Sequence, residues 1–141
     1  MKLTTKGRYA VMAMADLAAN QKLKPVSLNE ISLRQNISLS YLEQLFSKLK
    51  NEKLVKSIRG PAGGYILDKN PKEISISNII FAVDEQVKTL NCKKDSKRGC
   101  NGKTVKCITH NLWDDLEQHI NNFFDNVSLN DLIKQKRLDI N

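Results

Sequence analysis

No stretch of this chain is both long and apolar enough to cross a bilayer, because every hydrophobic patch is interrupted by charge. The opening Met1-Lys2-Leu3-Thr4-Thr5-Lys6 lacks the apolar region of a secretion signal, so the expected location is the cytoplasm. No Ser/His/Asp set, phosphate-cradling glycine loop or pair of carboxylates in a plausible pocket is found, and an enzyme is not expected. Cys107 with His110 has the composition of a thiolate–imidazolium pair, but their spacing alone does not orient them for catalysis. Cysteine is scarce: there are 3, an odd number without a secretion signal, which argues against a disulfide framework. No internal repeat is visible.

Acidic residues are also in short supply, 15 against 23 Lys and Arg, for a net charge of +8. The excess is not spread evenly. Residues 1–60 hold eleven basic against four acidic side chains, residues 92–106 hold six against one, and residues 107–141 hold three against six. A positive field on the N-terminal part and on one central loop suits a polyanionic partner.

What is present is organised around residues 38–65. Leu42, Leu45, Phe46 and Leu49 follow at i, i+3, i+4 and i+7, which lines one apolar face of a helix. Ser40 and Glu43 have the spacing of a capping box, so this helix is expected to start near Ser40. Tyr41, Glu43, Gln44, Ser47 and Lys48 are left on or beside the other face, with donors and acceptors sized to reach base edges. Leu54-Val55-Lys56-Ser57-Ile58 alternates, Gly60-Pro61-Ala62-Gly63-Gly64 turns, and Tyr65-Ile66-Leu67 returns, which predicts a β-hairpin. A polar-faced helix followed at once by a basic hairpin is the order of a winged helix-turn-helix, with the helix in a major groove and the wing on the backbone or minor groove.

Elsewhere the periodicity predicts a first helix over 4–20, rich in alanine, with Lys2, Lys6 and Arg8 gathered at its start as phosphate candidates. Ser27-Leu28-Asn29-Glu30 is a second capping box, opening a helix to about Gln35. The break at Asn36-Ile37-Ser38 completes a helix-turn-helix. After a turn at Asn70-Pro71, Ile74 and Ile76 alternate with Ser75 and Ser77, which reads as a short extra strand. A fourth helix is expected over 78–87. A long helix over 112–127 carries Leu112, Trp113, Leu116, Ile120, Phe123, Phe124 and Val127, and its stripe is expected to bury against a second subunit, or alternatively against its own domain. Ser128 to Asp131 caps a last short helix.

Cys92, Cys100, Cys107 and His110 fall in the order Cys-x7-Cys-x6-Cys-x2-His within a polar, basic, glycine-containing loop. Such a loop offers no apolar surroundings for three core cysteines. Thiolates and imidazole suit zinc or iron–sulfur rather than calcium or magnesium. Three thiolates and one imidazole satisfy either a tetrahedral zinc site or a 2Fe-2S cluster, although structural zinc usually brings a tighter cysteine pair. Lys93, Lys94, Arg98 and Lys106 would offset the charge of such a group.

Three stretches carry a family resemblance: Leu3-Thr4-x-Lys6-Gly7-Arg8-Tyr9-Ala10, Ile37 to Phe46, and Arg59-Gly60-Pro61-x-Gly63-Gly64-Tyr65. With Ala82-Val83-Asp84-Glu85 and Cys107-x-Thr109-His110-x-Leu112-Trp113, they resemble the bacterial Rrf-type winged-helix repressors, in particular their iron–sulfur cluster regulators. The resemblance runs from Met1 to about Leu132. It implies a homodimeric regulator of iron–sulfur biogenesis genes, acting mainly as a repressor on double-stranded DNA. Each subunit would hold one 2Fe-2S cluster, supplied by the assembly machinery, through Cys92, Cys100, Cys107 and His110. The cysteine spacings are somewhat longer than the family pattern, with the ligand order kept. A nitric-oxide-sensing branch uses an N-terminal acidic ligand, whereas position 8 here is Arg8.

The expected fold is therefore mainly α with a small β-hairpin wing. Residues 1–87 would form the winged helix-turn-helix domain, 88–110 the cluster-binding loop, 111–133 the dimerisation helix and short C-terminal helix, and 134–141 a tail. Ser38, Ser40, Tyr41, Glu43 and Gln44 are expected to face the major groove, with Glu43 discriminating between sites because a carboxylate accepts from cytosine and is repelled by phosphate. Arg59 is expected to enter a minor groove, with Lys48 and Lys56 on the backbone. The rival readings are a nitric-oxide- or thiol-sensing repressor of the same family, and a zinc-stabilised module that docks an acidic protein.

Overall fold

The computed structural model describes residues 4–85 and 108–134. Helix α1 spans Thr5–Asn20, α2 Leu28–Gln35 and α3 Leu39–Asn51. Strands β1 (Val55–Ile58) and β2 (Gly64–Leu67) form an antiparallel hairpin in which Val55 faces Leu67 and Ile58 faces Gly64. A 3-10 turn at Pro71–Glu73 leads into α4 (Ile76–Ala82), and α5 (His110–Asn126) and α6 (Leu129–Ile133) complete the described chain. No described helix is long and apolar enough to cross a membrane.

The apolar stripes meet in one core. Ala10, Ala13, Met14 and Leu17 of α1 pack with Ile31 of α2 and with Leu42, Leu45, Phe46 and Leu49 of α3, all essentially inaccessible to solvent. The alanines keep α1 slender enough for α2, α3, α4 and α6 all to pack against it. Phe46 meets Tyr65 of β2 edge-on, with ring centroids 5.0 Å apart, so the wing shares the core of the helices.

Helices α2, α3, α4 and α6 start at serine caps. Ser27 accepts from the Glu30 N–H at 3.1 Å, which opens α2 where the sequence predicts. Ser128 and Asp131 close a full capping box at α6. The expectation of a strand over residues 74–77 is corrected. Ser75 accepts from the Asn78 N–H at 3.1 Å and donates its own N–H to Asn78 Oδ1 at 3.0 Å, so α4 begins at Ile76, two residues before the predicted start. The alternation there reflects one bridge, Ser75 to Ser128, flanked by Ile76 N–H to Val127 O at 2.9 Å and Leu129 N–H to Ile74 O at 2.8 Å. That bridge draws the end of α5 and all of α6 onto the winged-helix core, where Val127 and Leu129 are buried. Helix α5 also starts earlier than the periodicity predicts, at His110 rather than Leu112.

Among the described residues Asp16, Glu85 and Glu117 are buried charged side chains, and Asp16 is the one that links α1 to α2. Asp16 is 5% exposed. Its carboxylate accepts from Arg34 Nη2 at 2.7 Å, Arg34 Nε at 2.9 Å and Gln35 Nε2 at 2.8 Å. Burial pushes the carboxyl's pKa up, but the bonds from Arg34 and Gln35 outweigh it and hold the group below its usual value. A depressed carboxyl contributes stability that is present above its unfolded pKa and is lost as pH falls through the folded one. Asp16→Asn should therefore cost about 2–3 kcal/mol at neutral pH, less than for a fully buried pair because Arg34 reaches water. The gap from wild type should close only below about pH 4, as chemical denaturation across a pH series would measure.

Candidate nucleic-acid interface

The turn before α3 is built by Asn36 and Ser38. Asn36 adopts a left-handed conformation (φ 55°, ψ 47°), which asparagine tolerates better than most side chains, and its N–H returns to Ser32 O. Ile37 is then buried, and Ser38 caps α3 by accepting from the Tyr41 N–H at 3.1 Å. The helix thus starts at Leu39, near Ser40 as expected, but its cap is Ser38 and the predicted Ser40–Glu43 capping box is not formed. Burial of Ile37 sets where the chain turns, so Ser38 rather than Ser40 falls at the cap. Ser40 stands inside the first turn, its hydroxyl 3.3 Å from that of Ser38. Glu43 is consequently not the box partner of Ser40. It is exposed and pairs with no described residue.

The outer surface of α3 presents Ser38, Ser40, Glu43, Gln44 and Ser47 to solvent. Tyr41 is half-buried, meeting Tyr9 of α1 edge-on at 5.9 Å, which sets the start of α1 beside the start of α3. Lys6 there is half-buried and Arg8 exposed, while Lys2 lies outside the described residues. Two lysines flank the helix further along, and both have partners that sequence reading missed. Lys50 donates to Ser57 of β1 at 3.0 Å. Lys48 meets Asp84 beyond α4 at 2.9 Å, and holds the Asp84 carboxyl below its usual range.

The wing is held from behind. Val26, in the α1–α2 linker, exchanges two backbone hydrogen bonds with Tyr65 of β2, at 3.0 and 2.7 Å, and Leu67 N–H donates to Gln21 Oε1 at 2.7 Å. Gly64 permits this approach, because a Cβ there would lie 2.4 Å from Val26 O. At the tip Gly60 has φ 121°, open to glycine but strained for other residues, and accepts from the Gly63 N–H at 2.9 Å. Arg59 projects from this tip and Lys56 from β1, both exposed.

Of the proposed ligands, His110 is the first residue of α5 and half-buried, while Cys92, Cys100 and Cys107 lie outside the described residues. Among the described residues no three His, Cys, Asp or Glu side chains gather as a metal site. The stripe of α5 divides along its length. Leu112, Trp113 and Leu116 are exposed, whereas Phe123 and Phe124 pack against the core of their own chain and Val127 enters it.

A model of the Rrf2 family, described as iron-dependent transcriptional regulator, matches residues 3–135. The HTH-type transcriptional regulator IscR of Klebsiella pneumoniae (strain 342) is 50% identical over 141 residues, covering 99% of this chain and 85% of that protein. IscR of Escherichia coli O1:K1 / APEC shows the same identity and coverage. Among solved structures, T. potens IscR superposes with a TM-score of 0.77 at 36% identity, over 97% of this chain and 89% of that one. CymR, the global cysteine regulator of B. subtilis, gives a TM-score of 0.80 at 33% identity, over 97% and 99%. Arg59→Ala should weaken duplex binding roughly tenfold at matched salt, measured by fluorescence anisotropy; unchanged affinity would remove the wing tip from the interface.

Proposed function

Because this chain belongs to the Rrf2 family of transcriptional regulators and carries a winged helix-turn-helix, we propose that it senses iron–sulfur cluster status and controls cluster-biogenesis genes, mainly by repression. The observation that carries this reading is the ligand series Cys92, Cys100, Cys107 and His110, in a chain 50% identical to IscR. The protein works as a homodimer in the cytoplasm, with the assembly machinery as its cluster source. A second copy covers the exposed Leu112, Trp113 and Leu116 face of α5.

The donor set fits a 2Fe-2S cluster: three soft thiolates and an imidazole provide four ligands, and the loop's lysines and arginine balance the sulfur charge. His110 fits as well, since it opens α5 with its side chain half-buried rather than sealed in the core. When bound, such a cluster supplies a crosslink that is sensitive to iron supply and oxidants. The chain's own part is mechanical. Cys107 and His110, three residues apart, tie the cysteine segment to the first turn of α5. The far end of α5 is anchored in the winged-helix core through Val127 and Leu129, so ordering one end of the helix acts on the other.

At the DNA, Ser38, Ser40, Tyr41, Glu43 and Gln44 read base edges in the major groove, while Arg59 enters the minor groove. Lys6, Arg8 and Lys56 meet phosphates, and Lys2 and Lys48 are further candidates for that role. Glu43 has no cap to satisfy, so its carboxylate is available to accept from a cytosine amino group and to penalise sites that set phosphate against it.

A second reading, a thiol-sensing repressor without a cluster, draws on the fold shared with CymR. The two separate on one variant. Cys100→Ala, purified without oxygen, should lose visible absorbance and change its preference among DNA sites in a binding selection. Colourless wild-type protein whose site preference changes with thiol oxidation would favour the second reading.

A further inference from the structure

Asp84 follows α4 and stands immediately before Glu85, the last described residue ahead of the cysteine segment. It is exposed and left-handed, with φ 58°. The backbone around it is pinned: Asp84 N–H donates to Phe81 O at 3.0 Å and Glu85 N–H to Ile80 O at 3.1 Å. Glu85 is buried and accepts from the Thr4 N–H at 2.6 Å and from the Thr4 hydroxyl, which fastens it to the start of α1. The backbone that carries Asp84 is thus held in place, and its carboxylate meets Lys48 Nζ at 2.9 Å. Lys48 lies one turn beyond Gln44 and two beyond Ser40, on the outward side of α3. Lys6 lies near enough to add a smaller pull on the same carboxylate.

A carboxylate at hydrogen-bond distance from a lysine ammonium offers what a DNA phosphate oxygen would offer. We propose that Asp84 is an intramolecular stand-in for a phosphate: it occupies the Lys48 ammonium in the free protein, must yield it when α3 docks, and so restrains affinity for duplex of any sequence. This rests on the assignment of α3 as the reading helix. The restraint is mild, because both side chains are solvated, 40% and 73% exposed, and exposed ion pairs are weak. It is also blind to sequence, since phosphate contacts position a protein without reading bases. Operator and bulk DNA are weakened by the same factor, which limits the time spent on bulk DNA while leaving base discrimination to Ser40, Glu43 and Gln44.

The test uses the full chain and a short duplex of random sequence, with anisotropy read across a salt series. Asp84→Asn should bind roughly two- to fivefold tighter per reading helix at low salt, and with a salt dependence steeper by about one released counterion per subunit. Asparagine suits the left-handed backbone, so thermal melting should be little changed; Asp84→Gly, which that backbone also accepts, must shift affinity in the same direction. In a Lys48→Met background the gain should vanish. Unchanged or weaker binding by Asp84→Asn overturns the proposal, and so does a gain that persists in full without Lys48, which would make Asp84 a plain repulsive charge. Wild-type protein with no salt-dependent duplex binding would overturn the reading-helix assignment itself, a result distinct from failure of the Asp84 proposal alone.

Discussion

Asp16 sits on the side of α1 that faces α2, with nearly all of its surface withdrawn from water, and takes hydrogen bonds from both Arg34 and Gln35 at the end of that helix. A buried carboxylate is costly unless its partners are fixed in place. The requirement runs both ways: satisfying Asp16 fixes where α2 ends. The next residue, Asn36, makes the left-handed turn, Ile37 goes into the core and Ser38 caps α3. The direction of α3 is therefore set by a charge pair whose members are 18 residues apart.

Around that fixed helix, three sets of contacts bind other segments to the same frame. Tyr41 against Tyr9 sets the start of α1 beside the start of α3. Val26 and Gln21 hold β2 by its backbone, and Lys50 ties α3 to β1 through Ser57. Lys48 reaches Asp84 at the far end of α4. The chain runs on toward the cysteines through Asp84 and Glu85, which hold α3 and the start of α1 respectively. A domain read from the sequence as a reading head with a separate sensing loop is thus joined at two charged residues.

Much of this was legible in the residues because the physics involved is local. Hydroxyl caps announced α2 and α6, the i, i+3, i+4, i+7 leucine and phenylalanine pattern announced α3, and a glycine-rich turn between alternating strands announced the wing. Local patterns misled where two serines competed. Ser38 and Ser40 are both capable caps, and the choice was made by burial of Ile37, a tertiary effect. At residues 74–77 the period-two alternation resembled a strand, but Ser75 and Asn78 could close a capping box, and the box prevailed. The burial of Asp16 could not be read from the sequence, because nothing near it reveals Arg34. The outward set on α3 was visible from periodicity alone. The partner of Lys48 was not, since Asp84 lies 36 residues away and meets it only once α4 is packed.

We propose that a winged helix-turn-helix, held in place by Asp16 and its partners, answers to a cluster on Cys92, Cys100, Cys107 and His110. The most direct measurement is on wild-type protein purified without oxygen: its visible spectrum together with iron, sulfide and zinc per chain. A red-brown protein with about two iron and two sulfide per chain and no zinc is expected, as a 2Fe-2S cluster requires. A colourless protein with one zinc per chain would contradict it, reducing the ligand set to a structural metal site and leaving the winged helix as a DNA binder without this sensor.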